Sequence, residues 1–157
     1  MTSKTILSPY ICLTEKPIDW PSLLENFQKP EAGALALFCG TVRNHFEGKK
    51  VSHLFYEAYL PMAEKTLSKI AFSIWDSYHP YGLIAIHRLG RIDLGETSLF
   101  IALSCAHRRE AFLACEKMVD QIKANVPIWK KEYFLDQTPA RWVNCCTKEQ
   151  EKRPLNL

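Results

Sequence analysis

The chain has 157 residues, 47% apolar and 24% charged, the proportions of a folded globular protein rather than a disordered or membrane-embedded one. No apolar run approaches the roughly 20 residues of a membrane span. Twenty basic residues against 17 acidic leave a net charge of +3, too slight to imply nucleic acid as a partner.

This length suits one domain able to bury its own core, expected over residues 1–146, with the polar stretch TKEQEKRPLNL at 147–157 as a loose tail. The first residues, MTSKTILSPYICL, lack a cleavage pattern of small residues and read as an opening strand over Ile6–Leu13. Asp19 is placed to cap a short helix with Pro21 in its first turn and Leu23, Leu24 and Phe27 facing inward. Gly33–Cys39 reads as a buried strand, Gly40 as the turn after it, and TVRNHFEGKK as a polar loop carrying Arg43, His45, Lys49 and Lys50. Val51–Tyr59 reads as a strand, and Pro61 opens a helix to Tyr78 whose Ala63, Leu67, Ile70 and Ile74 recur at three- and four-residue spacing.

Leu83–Arg88 and Thr97–Ser104 read as an antiparallel pair with a turn at Leu94 and Gly95. A second long helix begins near His107, sharing Ala111, Cys115, Met118 and Ile122 on one face with Phe112 and Val119 beside them. Pro127 biases Val126 toward an extended conformation, so the helix ends with Lys123 in its last turn and a strand follows over Ile128–Phe134. In that strand Ile128, Lys130, Glu132 and Phe134 alternate with Trp129, Lys131 and Tyr133, and Ala140–Cys145 returns as a hairpin partner. Strands arriving both as hairpins and between helices predict an α+β domain with mostly antiparallel sheet.

Several groups offer chemistry. His107, Arg108 and Arg109 open a helix at the end whose free N–H groups attract anions, and the planar fork of arginine suits phosphate; they are equally compatible with a solvated surface. Lys123 and Lys130 flank the proline, one at a helix terminus and the other in a half-exposed strand, positions where a solvated lysine is ordinary. The five histidines form no HxxxH or HExxH spacing, and Cys145 and Cys146 are adjacent, too close for the usual chelating pair. No metal or cofactor is expected. Four of the six cysteines lie in apolar periodic segments and no CxxC occurs, which points to reduced thiols and a cytoplasmic protein. Walker, GxGxxG and GxSxG sequences are absent.

Five segments in order, FCGTVRNH (38–45), YEAYLPMA (56–63), HRLGRIDLGE (87–96), AHRREAF (106–112) and VPIWKKE (126–132), resemble the large, catalytic subunit of molybdopterin synthase. The likeness covers about residues 31–144; YFLDQTPARWVNCC follows it only loosely, keeping Trp142. The resemblance implies an α/β hammerhead-like fold with an additional antiparallel β subdomain. It also implies sulfur transfer to cyclic pyranopterin monophosphate, forming the dithiolene of molybdopterin. The implied partners are a small ubiquitin-like subunit carrying a C-terminal Gly-Gly thiocarboxylate and a second copy of the chain, in a heterotetramer.

Carried over by position, the pterin site falls on Thr41, Val42, Arg43, His107, Arg108, Lys123, Lys130, Lys131 and Glu132, with His107 and Arg108 serving the neighbouring subunit's site. The position of Lys131 accepts arginine in relatives, so its charge is expected to matter more than its identity. Lys123 and Lys130 are the expected catalytic pair. Lys123 is expected to hold or activate the thiocarboxylate and Lys130, oriented by Glu132, to act as acid or base on the pterin, an assignment that could be exchanged. Two other readings stay open: a non-catalytic module binding a ubiquitin-like tail or phosphorylated ligand, and a small RNA-binding domain, against which the near-neutral charge and missing RNP sequence weigh.

Overall fold

A computed structural model describes residues 8–144 of the chain. The first sheet has the order β1-β5-β7-β2, built from β1 (Tyr10–Thr14), β5 (Gly82–Arg88), β7 (Thr97–Cys105) and β2 (Ala34–Thr41). Only β1 and β5 run parallel; β5 with β7 and β7 with β2 are antiparallel. Helices α2 (Leu60–Tyr78) and α3 (Arg108–Asn125) cover one face, burying Leu67, Ile70 and Ile74 from α2 and Ala111, Ala114, Met118 and Ile122 from α3. The other face packs Ile84, Ile86 and Phe100 beneath α1 (Trp20–Leu24) and the fully buried Phe27. With both faces covered, β5 and β7 are apolar almost throughout, and each large aliphatic so buried contributes about 1.5–3 kcal/mol.

The second sheet is five-stranded and antiparallel: β3 (His45–Phe46), β4 (Lys49–Ala58), β8 (Ile128–Phe134) and β9 (Arg141–Asn144) in that order, with β6 (Gly90–Asp93) also on β4. The α+β class with mostly antiparallel sheet is therefore the observed one, and Ile128–Phe134 forms the strand expected of it. Asp19 caps α1, accepting from the Ser22 amide.

Three local readings change. The 41–50 stretch is no open loop. Glu47 and Gly48 both take positive φ, +47° and +76°, the conformation of a tight two-residue hairpin turn whose twist matches the strands it joins, so β3 folds back on β4. Glu-Gly is a weaker signal for that turn than Asn-Gly, which is why composition alone suggested a loop. β2 does not end at Cys39 but continues through Gly40 to Thr41, with a register shift between them, and it is an edge strand with Leu37 44% exposed and Cys39 on the surface. Phe112, placed beside the buried face of α3, is 69% exposed. The expected beginning of the first strand at Ile6, the pair Cys145 and Cys146, and the 147–157 tail lie outside the described residues. No helix among those described is long and apolar enough to cross a membrane.

Candidate functional site

Where the two sheets diverge beside the C-terminal end of α3, they leave an open cleft of about 970 Å³. Three separate backbone events bring its charged side chains there. The first is the end of α3. Val126 is extended (φ −74°, ψ 124°), as the following proline requires, and its amide makes the last helical bond to the Ile122 carbonyl at 3.0 Å. Lys123 in that last turn lines the cleft, its Nζ 5.7 Å from the centre of the Phe38 ring.

The second event is the alternation of β8, which sends Lys130 and Glu132 to the cleft side. Lys130 Nζ lies 2.9 Å from Glu132 Oε1 and 5.5 Å from the Phe46 ring centre. The Glu132 side chain is 2% exposed and that of Lys130 22%, so a buried carboxylate anchors an ammonium that still meets solvent. The second carboxylate oxygen, Oε2, is buried without a hydrogen-bond partner among the described residues.

The third is the exit of β2. The Val42 amide donates to Glu96 O at 3.1 Å, and the Gly95 amide donates to Val42 O at 2.9 Å. Ser98 Oγ donates to Gly40 O at 3.0 Å. The chain at Thr41–Arg43 is thus stapled to the turn between β6 and β7. That turn is held from below: Glu96 Oε2 accepts from the Asp93 amide at 2.8 Å and pairs with Arg88 at 3.0 Å, Arg88 being nearly buried. The outcome is that Thr41 and Arg43 line the cleft, while Val42 between them is buried, off the lining, with its backbone engaged by the turn.

The remaining residues singled out in the sequence lie elsewhere. Lys131 points to the opposite face of β8, where its Nζ sits 5.4 Å from the Tyr133 ring and 5.3 Å from that of Trp142. His107 and Arg108 open α3 at the end away from Lys123; 18 residues at 1.5 Å rise separate the two ends by about 27 Å. One subunit cannot bring both ends of that helix to one small molecule. No three His, Cys, Asp or Glu side chains cluster as metal ligands among the described residues.

Two features of the site carry no role in the sequence reading. One is the Arg88–Glu96 pair. The other is His87, which lines the cleft at the end of β5. Burial pushes its imidazole down to about 4, the Arg88 carbonyl acting in the opposite direction and the charge of Lys123 in the same one. Its signal in the sequence was a single polar side chain closing the apolar run LIAIH.

A family model described as MoaE protein matches residues 13–125. The molybdopterin synthase catalytic subunit of Aspergillus niger is 44% identical over 135 residues, covering 86% of this chain and 75% of the relative. That of Arabidopsis thaliana is also 44% identical, over 117 residues and 74% of this chain, which spans only 59% of that longer relative. Among solved structures, molybdopterin synthase from Staphylococcus aureus superposes with a TM-score of 0.72 at 34% identity, over 91% of this chain and 98% of the other. A complex of subunits 1 and 2 of molybdopterin-converting factor from Helicobacter pylori gives 0.64 at 22% identity, over 90% and 91%, a likeness of fold.

Proposed function

The chain belongs to the MoaE protein family, and from that premise we propose that it is the catalytic subunit of a molybdopterin synthase, moving sulfur from a thiocarboxylate onto cyclic pyranopterin monophosphate. The observation that carries the reading is the convergence of Arg43, Lys123 and the Lys130–Glu132 pair on one cleft from three separate elements. Arg43 takes the phosphate, for which its planar fork is suited. Lys123 holds the anionic thiocarboxylate. The sulfur bonds to a side-chain carbon of the pterin, an oxygen leaves that carbon with a proton supplied by Lys130, and water then cleaves the acyl–sulfur bond to return a carboxylate.

In the same reading, Thr41 shapes the phosphate end, Val42 holds Arg43 in place through its backbone bonds to Glu96 and Gly95, and Glu132 orients Lys130. His107 and Arg108 enter the cleft of a second copy, because α3 holds them far from their own. Lys131 then acts by charge from outside the cleft. The partner is a small ubiquitin-like subunit whose Gly-Gly thiocarboxylate threads into the cleft, two such subunits flanking a central dimer. We assign residues up to 146 to one domain of the α/β hammerhead type, the second sheet being its added β subdomain, and place the reaction in the cytoplasm.

The test is incubation of the protein with cyclic pyranopterin monophosphate and a thiocarboxylated small subunit, followed by assay for molybdopterin. Product formation that is lost in Lys123→Ala and in Lys130→Arg, with partner binding intact, is the expected result. No product from competent components refutes the assignment, and full turnover by Lys130→Arg removes Lys130 from the proton transfer, since arginine keeps the charge but does not readily release a proton.

A further inference from the structure

The carboxylates of the cleft are drawn to cations, Glu47 to Arg141 at 3.5 Å and Glu132 to Lys130 at 2.9 Å, and the second oxygen of Glu132 is buried. His45, whose Nδ1 lies 2.8 Å from Asn44 Oδ1, is exposed, so water serves the rest of its ring. His87 is the buried imidazole of the lining. Its Nδ1 lies 2.8 Å from the Arg88 carbonyl oxygen, which has no proton to give, so Nδ1 carries the hydrogen and donates it. In the neutral ring Nε2 is then a bare lone pair, the Arg88 carbonyl being the one hydrogen-bond partner of the His87 side chain among the described residues. The ring is fixed by Tyr56, which meets it edge-on with centroids 5.1 Å apart at 70°. Burial and the nearby Lys123 charge both oppose protonation, so the lone pair is present at neutral pH.

We propose that His87 is a specificity-determining residue that accepts, through Nε2, a hydrogen bond from a ring N–H or amino group of the bound heterocycle, and so sets which way round the pterin lies in the cleft. The inference rests on the reading of this cleft as a pterin phosphate site and goes further by fixing an orientation. A phosphate or thiocarboxylate offers only acceptors and gains nothing from a bare imidazole nitrogen, so the anionic groups are driven toward Arg43 and Lys123. A heterocycle bearing N–H groups is the complement of the His87 end. A ligand without such a donor leaves the nitrogen desolvated and unpaired, which is how a single buried acceptor discriminates.

Two substitutions separate this role from a structural one. His87→Asn keeps a donor near the Nδ1 position, for the Arg88 carbonyl, and removes the Nε2 acceptor. His87→Gln reaches the Nε2 position with an amide oxygen. With cyclic pyranopterin monophosphate and thiocarboxylated small subunit, we expect His87→Asn to raise the KM for the pterin about tenfold, and His87→Gln to stay within about threefold of wild type. A His87→Asn protein with the wild-type KM, or a His87→Gln protein as impaired as it, overturns the proposal. A readout independent of any variant is the ¹⁵N spectrum of histidine-labelled wild-type protein. The His87 Nε2 resonance should move upfield, as an acceptor nitrogen does on receiving a hydrogen bond, when the pterin phosphate saturates the cleft; an unmoved resonance with the ligand bound also overturns it. Failure of the wild type to bind or convert the pterin counts against the functional reading instead.

Discussion

Replacing Lys130 by alanine should damage the fold more than removing the charge of its partner, although the two share one ion pair. Glu132 is 2% exposed in its side chain and Lys130 22%, with 2.9 Å between Nζ and Oε1. Lys130→Ala strands a buried carboxylate whose other oxygen already has no partner among the described residues. Breaking a buried pair in that direction costs about 3–5 kcal/mol. Glu132→Gln leaves an amide oxygen that still accepts from the ammonium, and Lys130 reaches water in the cleft, so the cost should be about 1 kcal/mol. At roughly 2–4 °C per kcal/mol for a chain of this size, the midpoints should fall by at least about 6 °C and by only about 2–4 °C. Thermal unfolding followed by circular dichroism measures both, and Lys130→Ala combined with Glu132→Gln should recover part of the larger loss. A Glu132→Gln protein less stable than Lys130→Ala, or a double variant no better than Lys130→Ala, would refute the reasoning. The consequence for enzymology is direct: lost turnover in Lys130→Ala reports chemistry only after this loss of stability is measured, whereas Lys130→Arg keeps the charge.

Glu96→Ala strands the nearly buried Arg88 guanidinium and releases the turn that staples Val42, so it should cost about 3 kcal/mol in urea unfolding and raise the KM for the pterin phosphate more than it lowers kcat. His87, held near 4 when folded against 6.5 in the free side chain, binds its proton more readily in the unfolded chain. Stability should therefore fall by about 3 kcal/mol as pH drops from 6.5 to about 4, and His87→Asn should flatten that segment of a pH series of unfolding curves. Mixing Lys123→Ala with Arg108→Ala chains tests whether sites are shared. Random reassortment leaves half the dimers mixed, each with one intact site, and restores about a quarter of wild-type turnover; a mixture as inactive as either parent refutes sharing.

Much of this architecture is legible in the order of residues because local rules and tertiary demands agree. The break at Pro127, the alternation of Ile128–Phe134 and the Asp19 cap are each settled within a few residues, and the structure has all three. What the sequence hides is long-range. The short strand β6 exists because β4 offers it an edge, not because GRID has strand character. The exposure of Leu37 follows from β2 lying at the sheet edge, a fact of strand order that an apolar run cannot announce. The cleft was half visible. The family resemblance, not their spacing, paired Lys123 with Lys130, but His87 joins them from β5, and Lys131, one residue from Lys130, is turned away by the strand's own period.

The charges in the cleft also bear on how the two lysines divide the work. Glu132 neutralises Lys130 and Arg141 offsets Glu47, leaving Arg43 and Lys123 as the lining cations without an ion pair among the described residues. On the proposed function two anions enter, a cyclic phosphate with one negative charge and a thiocarboxylate with one, and each finds a cation that surrenders no carboxylate partner among the described residues to bind it. Lys130 would have to leave Glu132 to serve as an anion holder, exposing a buried carboxylate in the process, and that penalty falls at the moment of binding. Remaining paired, it keeps a fixed direction and a proton to give, which is what the step that expels oxygen from the pterin requires. On the proposed function, then, the charge arrangement favours the expected division, Lys123 holding the incoming sulfur and Lys130 moving the proton, over its exchange.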